Sequence, residues 1–390
     1  MSEPILPVRR GAPKGRLPAP PPGQGRVKGF SDIRLSIEQA ETSLEAAADR
    51  LSLPRSGWAS GRFDMLAISG GAAGGAYGAG ALVGLTEAGV RPEFALVTGV
   101  STGALIAPFA FLGPAWDDRL ADAYVGGHAA DLLSLRRLAS SFTGGLFRGE
   151  ALDALIHPFV DEAMIDAVAA EHARGRRLLV ATTDLDSQRA CIWDMGAIAA
   201  HGGERAVALF REVLAASASL PGLFPPRRIP CTVEGEADGE KFEEMHVDGG
   251  VAAPLFLMPE GLLRWNRLGR RLHRGRVHVL VNTVLEPAPR TTAPNVAAVL
   301  TRSFDAMLRF SYRQALGTAT TFCAAQGLPI SVASIPDAPD QGGMLSFDTA
   351  TMQRLFDAAR ERARAGELWR SPVAERQGLQ GLLDRLRPRG

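Results

Sequence analysis

Residues 65–103 read MLAISGGAAGGAYGAGALVGLTEAGVRPEFALVTGVSTG, and this stretch decides the fold. Residues 65–69 are a short apolar run closed by glycines, and residues 94–98 are a second run that ends at Gly99. Short, continuous apolar runs are typical of strands buried on both faces. Helix-forming residues follow each run. Strand–helix–strand–helix order with short connections predicts a mostly parallel sheet with helices on its faces.

Further apolar runs extend this pattern along the chain. Strands are predicted at residues 177–182, 190–193, 277–284 and 329–335. Because they are spread so widely, we expect one continuous α/β domain over residues 61–340. Helices are predicted over residues 203–217, 295–326 and 348–366, and residues 232–244, which are polar and acidic, are predicted as a surface excursion.

The composition excludes several classes of protein. Apolar residues make up 46% of the 390 residues and charged residues 22%, which is typical of a globular protein. The net charge of +1 gives no basic field that would indicate a nucleic-acid partner. Cys191, Cys231 and Cys323 lie far apart and include no CxxC pair. This excludes a disulfide framework and a cysteine-rich zinc site, and it favours a reducing, cytoplasmic location.

Both ends of the chain differ from this domain in composition. Residues 1–30 hold seven prolines and six basic residues, which predicts a disordered tail. Residues 31–60 are predicted to be an N-terminal helical segment, and residues 341–390 an Arg-rich helical extension. The uncharged stretches 65–86 and 94–116 are long enough to span a membrane, but glycines break both of them, so we reject membrane spans.

The strongest local motif is Gly99-Val100-Ser101-Thr102-Gly103, a GxSxG sequence between a predicted strand and a predicted helix. In a nucleophile elbow the serine occupies a sharp, strained turn, and the flanking glycines let the strand and the helix approach closely. The N-terminus of the following helix stabilises negative charge that develops there. The motif predicts that Ser101 is a nucleophile; the alternative is a glycine-lined packing turn.

A glycine-rich turn, SGGAAGG, occupies residues 69–75, one strand–helix unit earlier. Such a turn offers several backbone N–H groups around one point, as an anion site or an oxyanion hole requires. The dinucleotide spacing GxGxxG and the P-loop motif are both absent, which disfavours a nucleotide. An oxyanion hole for Ser101 is the favoured interpretation, and close helix–sheet packing is compatible with it.

The base that would activate Ser101 is less evident. Of the seven histidines, His273 and His278 follow in an order that a Ser–Asp–His triad allows, although His278 lies in an apolar strand. The other candidate is Asp248, which ends a predicted strand and precedes Gly249 and Gly250. A dry pocket would raise the pKa of this carboxyl and make it a better base, whereas a plain Asp-Gly-Gly turn is the structural alternative.

Together these segments resemble the patatin-like phospholipases, lipid acyl hydrolases that use a Ser–Asp dyad without histidine. Four blocks match in order over about residues 63–285: the turn at 69–75, the elbow at 99–103, the segment ASASLPGLFPP at 216–226, and 248–250. The resemblance implies a three-layer α/β/α sandwich around a mostly parallel sheet. It also implies that no cofactor or metal is needed.

The same resemblance implies a role for each residue of the site. Ser101 would be the nucleophile and Asp248 the base, with the backbone N–H groups of Gly70, Gly71 and Ala72 as the oxyanion hole. The sequence departs from the family where a third glycine and then a Lys or Arg are usual, because Ala72 and Gly74 stand there. Loss of that basic side chain weakens the case for a phospholipid substrate more than the case for hydrolysis.

The expected function is therefore hydrolysis of lipid carboxylic esters, of the phospholipase A or lysophospholipase kind. One alternative is a catalytically silent scaffold that binds an anionic or lipid ligand, and another is a histidine-dependent esterase. A lipid substrate would bring the protein to a membrane surface. The alternation of apolar residues and arginines over residues 351–388 would suit an interfacial helix. A core-packed helix with a solvated outer face would show the same pattern.

Overall fold

The computed structural model describes residues 14–21, 23–35, 64–132, 149–233, 241–257, 275–286, 289, 291–336 and 345–372. These residues form one sheet of ten strands. In chain order the strands are β1 (Gly25–Val27), β2 (Arg34–Leu35), β3 (Asp64–Ile68), β4 (Phe94–Val100), β5 (Arg177–Asp184), β6 (Arg189–Asp194), β7 (Arg227–Val233), β8 (Phe242–Asp248), β9 (Arg276–Val281) and β10 (Ile330–Ser334).

The centre of the sheet is parallel and one side of it is antiparallel. The main strand order is β1-β7-β8-β5-β4-β3-β9-β10, and β6 joins β5 to β2. Strands β5, β4, β3, β9 and β10 are parallel to one another. The pairings of β1, β2, β6, β7 and β8 are antiparallel. The α/β class with a central sheet is confirmed. The expected parallel arrangement holds for the centre of the sheet, whereas five of the nine strand pairings among the described residues are antiparallel.

Helices surround the strands within the described residues. They are α1 (Gly75–Glu87), α2 (Thr102–Leu112), α3 (Asp117–Val125), α4 (His128–Leu132), α5 (Gly149–Ile156), α6 (Glu162–Ala173), α7 (Met195–Ala200), α8 (Gly203–Ser217), α9 (Val296–Gln326) and α10 (Thr349–Arg364).

Two apolar cores lie on opposite faces of the sheet. Along β3, Leu66 and Ile68 belong to one core, and Met65 and Ala67 belong to the other. This alternation follows from the two-residue repeat of a strand. The first core contains buried side chains of α1, α2, α6, α8 and α10, whereas the second contains those of α9. Helices on both faces of the sheet make the three layers that we expected.

The described part of the N-terminal segment is anchored on the sheet. Residues 25–27 pair antiparallel with β7, and Arg16 forms an ion pair with Asp186 at 2.7 Å. For these residues the prediction of a disordered tail is wrong, because hydrogen bonds and ion pairs to distant strands replace a core of their own. Residues 34–35 pair with β6 as a strand, not a helix. Residues 36–63, on which the rest of the predicted helical segment falls, lie outside the described residues.

The predicted surface excursion at residues 232–244 is also wrong in part. Residues 242–244 begin β8, and Glu243 and Glu244 are both buried. Burial would raise the pKa of Glu244, but a hydrogen bond from His246 and the charge of Arg34 lower it to about 2. An acidic strand becomes part of the interior here because distant basic partners neutralise it.

The helix of the C-terminal extension packs on the core. In α10, Leu355 and Phe356 are buried. A Cβ added at Gly80 or Gly84 of α1 would collide with the α10 backbone, so the two helices are in close contact. The apolar residues of α10 are thus used inside the protein, which supports the core-packed alternative for residues 349–364. Residues 373–390 lie outside the described part of the chain. Among the described helices, none is long and apolar enough to cross a bilayer.

Candidate active site

Ser101 lies at a sharp turn between β4 and α2. Its backbone has φ 56° and ψ −128°, a conformation that residues with a side chain rarely adopt. The flanking glycines make this turn possible. A Cβ at Gly99 would lie 2.5 Å from the carbonyl oxygen of Gly103, and a Cβ at Gly103 would collide with the backbone of Ile68. The local geometry is that of a nucleophile elbow, with the side chain at the N-terminus of α2.

The register of β5 brings Asp248 to the same place as Ser101. Strand β4 pairs with β5 as far as Val100, which lies opposite Ala181. Strand β8 pairs with β5 from Thr182, which lies opposite Asp248. Since β6 occupies the other edge of β5, β4 and β8 must share one edge and meet there end to end. The ends of two strands distant in sequence are therefore adjacent along β5.

The ASASLP segment holds both strand ends through its serines. Ser217 Oγ accepts a hydrogen bond from the backbone N–H of Ser101 at 3.0 Å and donates one to the carbonyl of Ala181 at 2.7 Å. The carbonyl of Ser219 accepts a hydrogen bond from the backbone N–H of Asp248 at 3.0 Å. These contacts explain why the ASASLP segment occurs together with the elbow and the Asp-Gly-Gly motif. The sequence alone did not reveal this structural role.

The carboxyl of Asp248 is buried and only partly paired. It is 1% exposed, and its Oδ1 accepts a hydrogen bond from the N–H of Gly250 at 2.7 Å. Oδ2 has no well-aligned hydrogen-bond partner among the described residues. Burial raises the pKa of Asp248 to about 6, although interactions with the Ser101 side chain and the Gly250 amide oppose this. At neutral pH the group is an ionised carboxylate that binds a proton more strongly than an exposed aspartate does.

The glycine turn lies directly beside Ser101. A Cβ added at Gly70 would lie 3.0 Å from the Cβ of Ser101. The backbone N–H groups of Gly70, Gly71 and Ala72 donate no hydrogen bond to another described residue. Ala72 has φ 50°, a positive value that explains why glycine suits this position. Three unused amides next to a hydroxyl are the elements of an oxyanion hole.

Asn282 fixes the glycine turn from the end of β9. Its Nδ2 donates a hydrogen bond to the Ser69 carbonyl at 2.9 Å, and its N–H donates one to Ser69 Oγ at 3.0 Å. The carbonyl of Asn282 packs so closely on Gly71 and Gly74 that a Cβ at either position would collide with it. Sequence analysis missed Asn282, although its position just after an apolar strand was a usable signal.

Ser101, Asp248 and the glycine turn line one open cavity. Its remaining walls are mostly leucine and phenylalanine side chains. They include Leu105, Leu155, Leu223, Phe224, Phe304 and Leu308. An apolar cavity that ends at a hydroxyl and a carboxylate suits a ligand with a hydrocarbon portion and one polar reacting group.

Tyr312 is a site residue that the sequence analysis did not find. This α9 residue is 2% exposed and lines the same cavity. A Cβ added at Gly70 would lie 2.9 Å from its Oη. Burial raises the pKa of Tyr312, and the charge of Asp248 raises it further, so the hydroxyl remains protonated and able to donate a hydrogen bond. No motif marks this tyrosine, because it approaches from the helix on the opposite side of the sheet from α2.

No described histidine takes the place of Asp248. His278 Nε2 is 3.5 Å from Oδ1 of Asp64, at the start of β3, whereas Ser101 follows the end of β4. His246 uses both ring nitrogens, at 2.9 Å from Thr182 Oγ1 and 3.0 Å from Glu244 Oε2. His273 lies outside the described residues. Within the described ranges, no group of three or more His, Cys, Asp or Glu side chains could hold a metal ion.

No curated protein matches the chain in sequence. Among solved structures, VipD from Legionella pneumophila is 12% identical with a TM-score of 0.33, and the match covers 76% of this chain and 67% of VipD. Human GIVD cytosolic phospholipase A2 is 12% identical with a TM-score of 0.37. That match covers 85% of this chain and 62% of the human protein.

The family comparison identifies the central part of the chain. Residues 66–259 match the family model described as patatin-like phospholipase. The match begins in β3 and runs past β8, so it includes the glycine turn, Ser101, the ASASLP segment and Asp248. The resemblance to the patatin-like phospholipase family is thereby confirmed over residues 66–259.

Proposed function

We propose that the protein is a serine acyl hydrolase that cleaves carboxylic esters of lipids. The observation that carries this proposal is the convergence of Ser101, on a strained turn, with the buried carboxyl of Asp248 beside the free amides of the glycine turn. The family match over residues 66–259 and the apolar cavity support it.

In the proposed first step, Ser101 Oγ attacks the ester carbonyl carbon while Asp248 accepts the hydroxyl proton. The carbonyl oxygen becomes an oxyanion, which accepts hydrogen bonds from the N–H groups of Gly70, Gly71 and Ala72. The Tyr312 hydroxyl adds a donor beside Gly70. Loss of the alcohol, which takes the proton from Asp248, leaves an acyl-enzyme.

In the second step, Asp248 accepts a proton from water, and the resulting hydroxide attacks the acyl carbonyl. Collapse of the second oxyanion releases the fatty acid and returns the proton to Ser101 Oγ. The raised pKa of Asp248 suits both steps, because a base with a pKa of about 6 accepts a proton more readily than one at 3.8 and is still ionised at neutral pH.

The test compares the wild type with Ser101→Ala and Asp248→Asn. Hydrolysis of a soluble p-nitrophenyl ester and labelling by a fluorophosphonate probe are measured on folded protein. We expect both variants to lose hydrolysis and Ser101→Ala to lose labelling. His278→Ala is the control and should remain active, because His278 lies at the start of β9. Hydrolysis that persists in Ser101→Ala or Asp248→Asn, or its loss in His278→Ala, would overturn the dyad. A wild type that neither hydrolyses nor labels would indicate a silent binding scaffold.

A further inference from the structure

Helix α9 carries an apolar stripe on its outer side. Its members are Val296, Val299, Leu300, Met307 and Phe310, whose side chains are between 48% and 76% exposed. At about 100° per residue, these positions fall within an arc of about 100° around the helix axis. The stripe therefore lies on one side of the helix over four turns, with the exposed Ser303 between Leu300 and Met307.

The opposite side of the same turns forms a wall of the cavity. Phe304, Leu308 and Tyr312 line it together with Ser101 and Asp248. A helix on the surface of a globular protein normally presents a polar outer face. This part of α9 is apolar on both sides, so its outer face has the composition of a contact surface.

Exposed apolar residues are concentrated near the cavity. In the described ranges, ten large hydrophobic side chains are exposed, and seven of them lie on the stripe or beside the cavity. Five of these seven are the stripe itself. The other two are Val251, which lines the cavity, and Leu345, whose carbonyl accepts a hydrogen bond from the N–H of the cavity residue Phe347. The exposed apolar surface thus adjoins the place where a lipid acyl chain would enter.

The charges of α9 indicate the kind of surface that it meets. The helix contains Arg302, Arg309 and Arg313 and one acidic residue, Asp305. Arg302 and Arg309 form ion pairs with Asp305, and Arg313 forms one with Glu286. Three basic and two acidic side chains leave this surface with one net positive charge. By helical geometry the three arginines lie along one flank of the stripe. An apolar face with a basic flank is the pattern of a helix that lies in the interface of a bilayer containing anionic lipids.

We propose that the stripe on α9 docks the protein on an anionic lipid bilayer, with the cavity mouth facing the membrane. The inference rests on the proposed lipid hydrolase function, because a bilayer is where that substrate resides. A lipid surface also accounts for the location of the stripe, since the helix that inserts into the interface also lines the cavity that would receive the acyl chain.

The test measures binding to phosphatidylcholine vesicles with and without phosphatidylglycerol by co-sedimentation. The full chain with Ser101→Ala is used, so that binding does not depend on hydrolysis. Met307→Glu and Phe310→Glu together should weaken binding to the anionic vesicles about tenfold or more. The matched control is Val90→Glu. Val90 is 60% exposed and precedes the start of β4, whereas Ser101 follows the other end of this strand. This control should bind as its parent does.

Two further measurements make the result decisive. With Ser101 restored, the Met307→Glu and Phe310→Glu variant should hydrolyse a soluble ester at the wild-type rate, which shows that its cavity is intact. Equal vesicle binding by this variant and the Val90→Glu control would overturn the proposal. So would a wild-type dimer, seen by gel filtration, that the two changes convert to a monomer, because the stripe would then join two copies of the chain. A wild type that binds vesicles but hydrolyses no ester would refute the proposed function and leave the docking surface supported.

Discussion

Replacement of Asp248 by Asn should stabilise the protein while it abolishes hydrolysis. The buried carboxyl has its pKa raised from 3.8 to about 6, chiefly by burial. Each pH unit of pKa difference is worth about 1.4 kcal/mol, so ionisation of Asp248 in the folded state costs about 3 kcal/mol relative to the unfolded chain. Asparagine has nearly the same shape and carries no charge, so this cost is removed.

The dependence of this effect on pH follows from the direction of the pKa change. The folded protein binds the Asp248 proton more tightly than the unfolded chain does. The contribution of this group to stability is therefore complete below pH 3.8, is lost as the pH rises towards about 6, and stays lost above it. The free energy of unfolding of Asp248→Asn should exceed that of the wild type by up to about 3 kcal/mol at neutral pH. The difference should be about 1 kcal/mol smaller near pH ~5.

Urea unfolding followed by circular dichroism at these two pH values measures both quantities. The matched control is Asp166→Asn, which changes an exposed carboxylate on α6 and should alter the free energy of unfolding by less than about 0.5 kcal/mol. If Asp248→Asn were no more stable than the wild type at neutral pH, or if its gain did not grow between the two pH values, a desolvated base at this position would be refuted.

Three other changes test the surroundings of Ser101. Ser217→Ala removes the acceptor for the Ser101 N–H and should lower kcat about tenfold. Ser219→Ala is its control and should have little effect, because the backbone carbonyl that binds the Asp248 N–H remains. Equal kcat values for these two variants in steady-state assays would contradict this. Tyr312→Phe should lower kcat on a soluble ester about tenfold with KM nearly unchanged; a change confined to KM would mean that the hydroxyl contacts only the bound ester. Ala72→Gly relieves a positive φ and should raise the free energy of unfolding by about 1 kcal/mol in urea titrations; a loss of stability would contradict the strain at this turn.

The sequence predicted the parallel half of the sheet well and the antiparallel side poorly. Strands β3, β4, β5 and β9 are buried on both faces, so each is a continuous apolar run that can be recognised locally. The start of β8 carries Glu243 and Glu244, which are buried because they pair with Arg16 and Arg34. Such pairings join residues more than 200 positions apart, and no local pattern records them.

The candidate site was predictable where one motif implies one local geometry. The GxSxG sequence predicted the turn at Ser101, and the Asp-Gly-Gly sequence predicted a carboxylate at a strand end. Tyr312 and Asn282 were missed because each reaches the site only through tertiary packing, from α9 and from the end of β9.

The apolar outer face of α9 was missed for a related reason. Sequence periodicity shows which positions share a face, but the packing of α10 on α1 decided which of the two C-terminal helices remains uncovered.

The end-to-end meeting of β4 and β8 along β5 makes the site tolerant of change in the polypeptide between its two key residues. The separation of Ser101 from Asp248 is set by neighbouring positions on one strand, Ala181 and Thr182. The described helices between α2 and β5 take no part in these strand pairings. Under the proposed function, these helices and their connections can change in length while Ser101 and Asp248 keep their distance, so that substrate preference can diverge while the reacting pair stays the same.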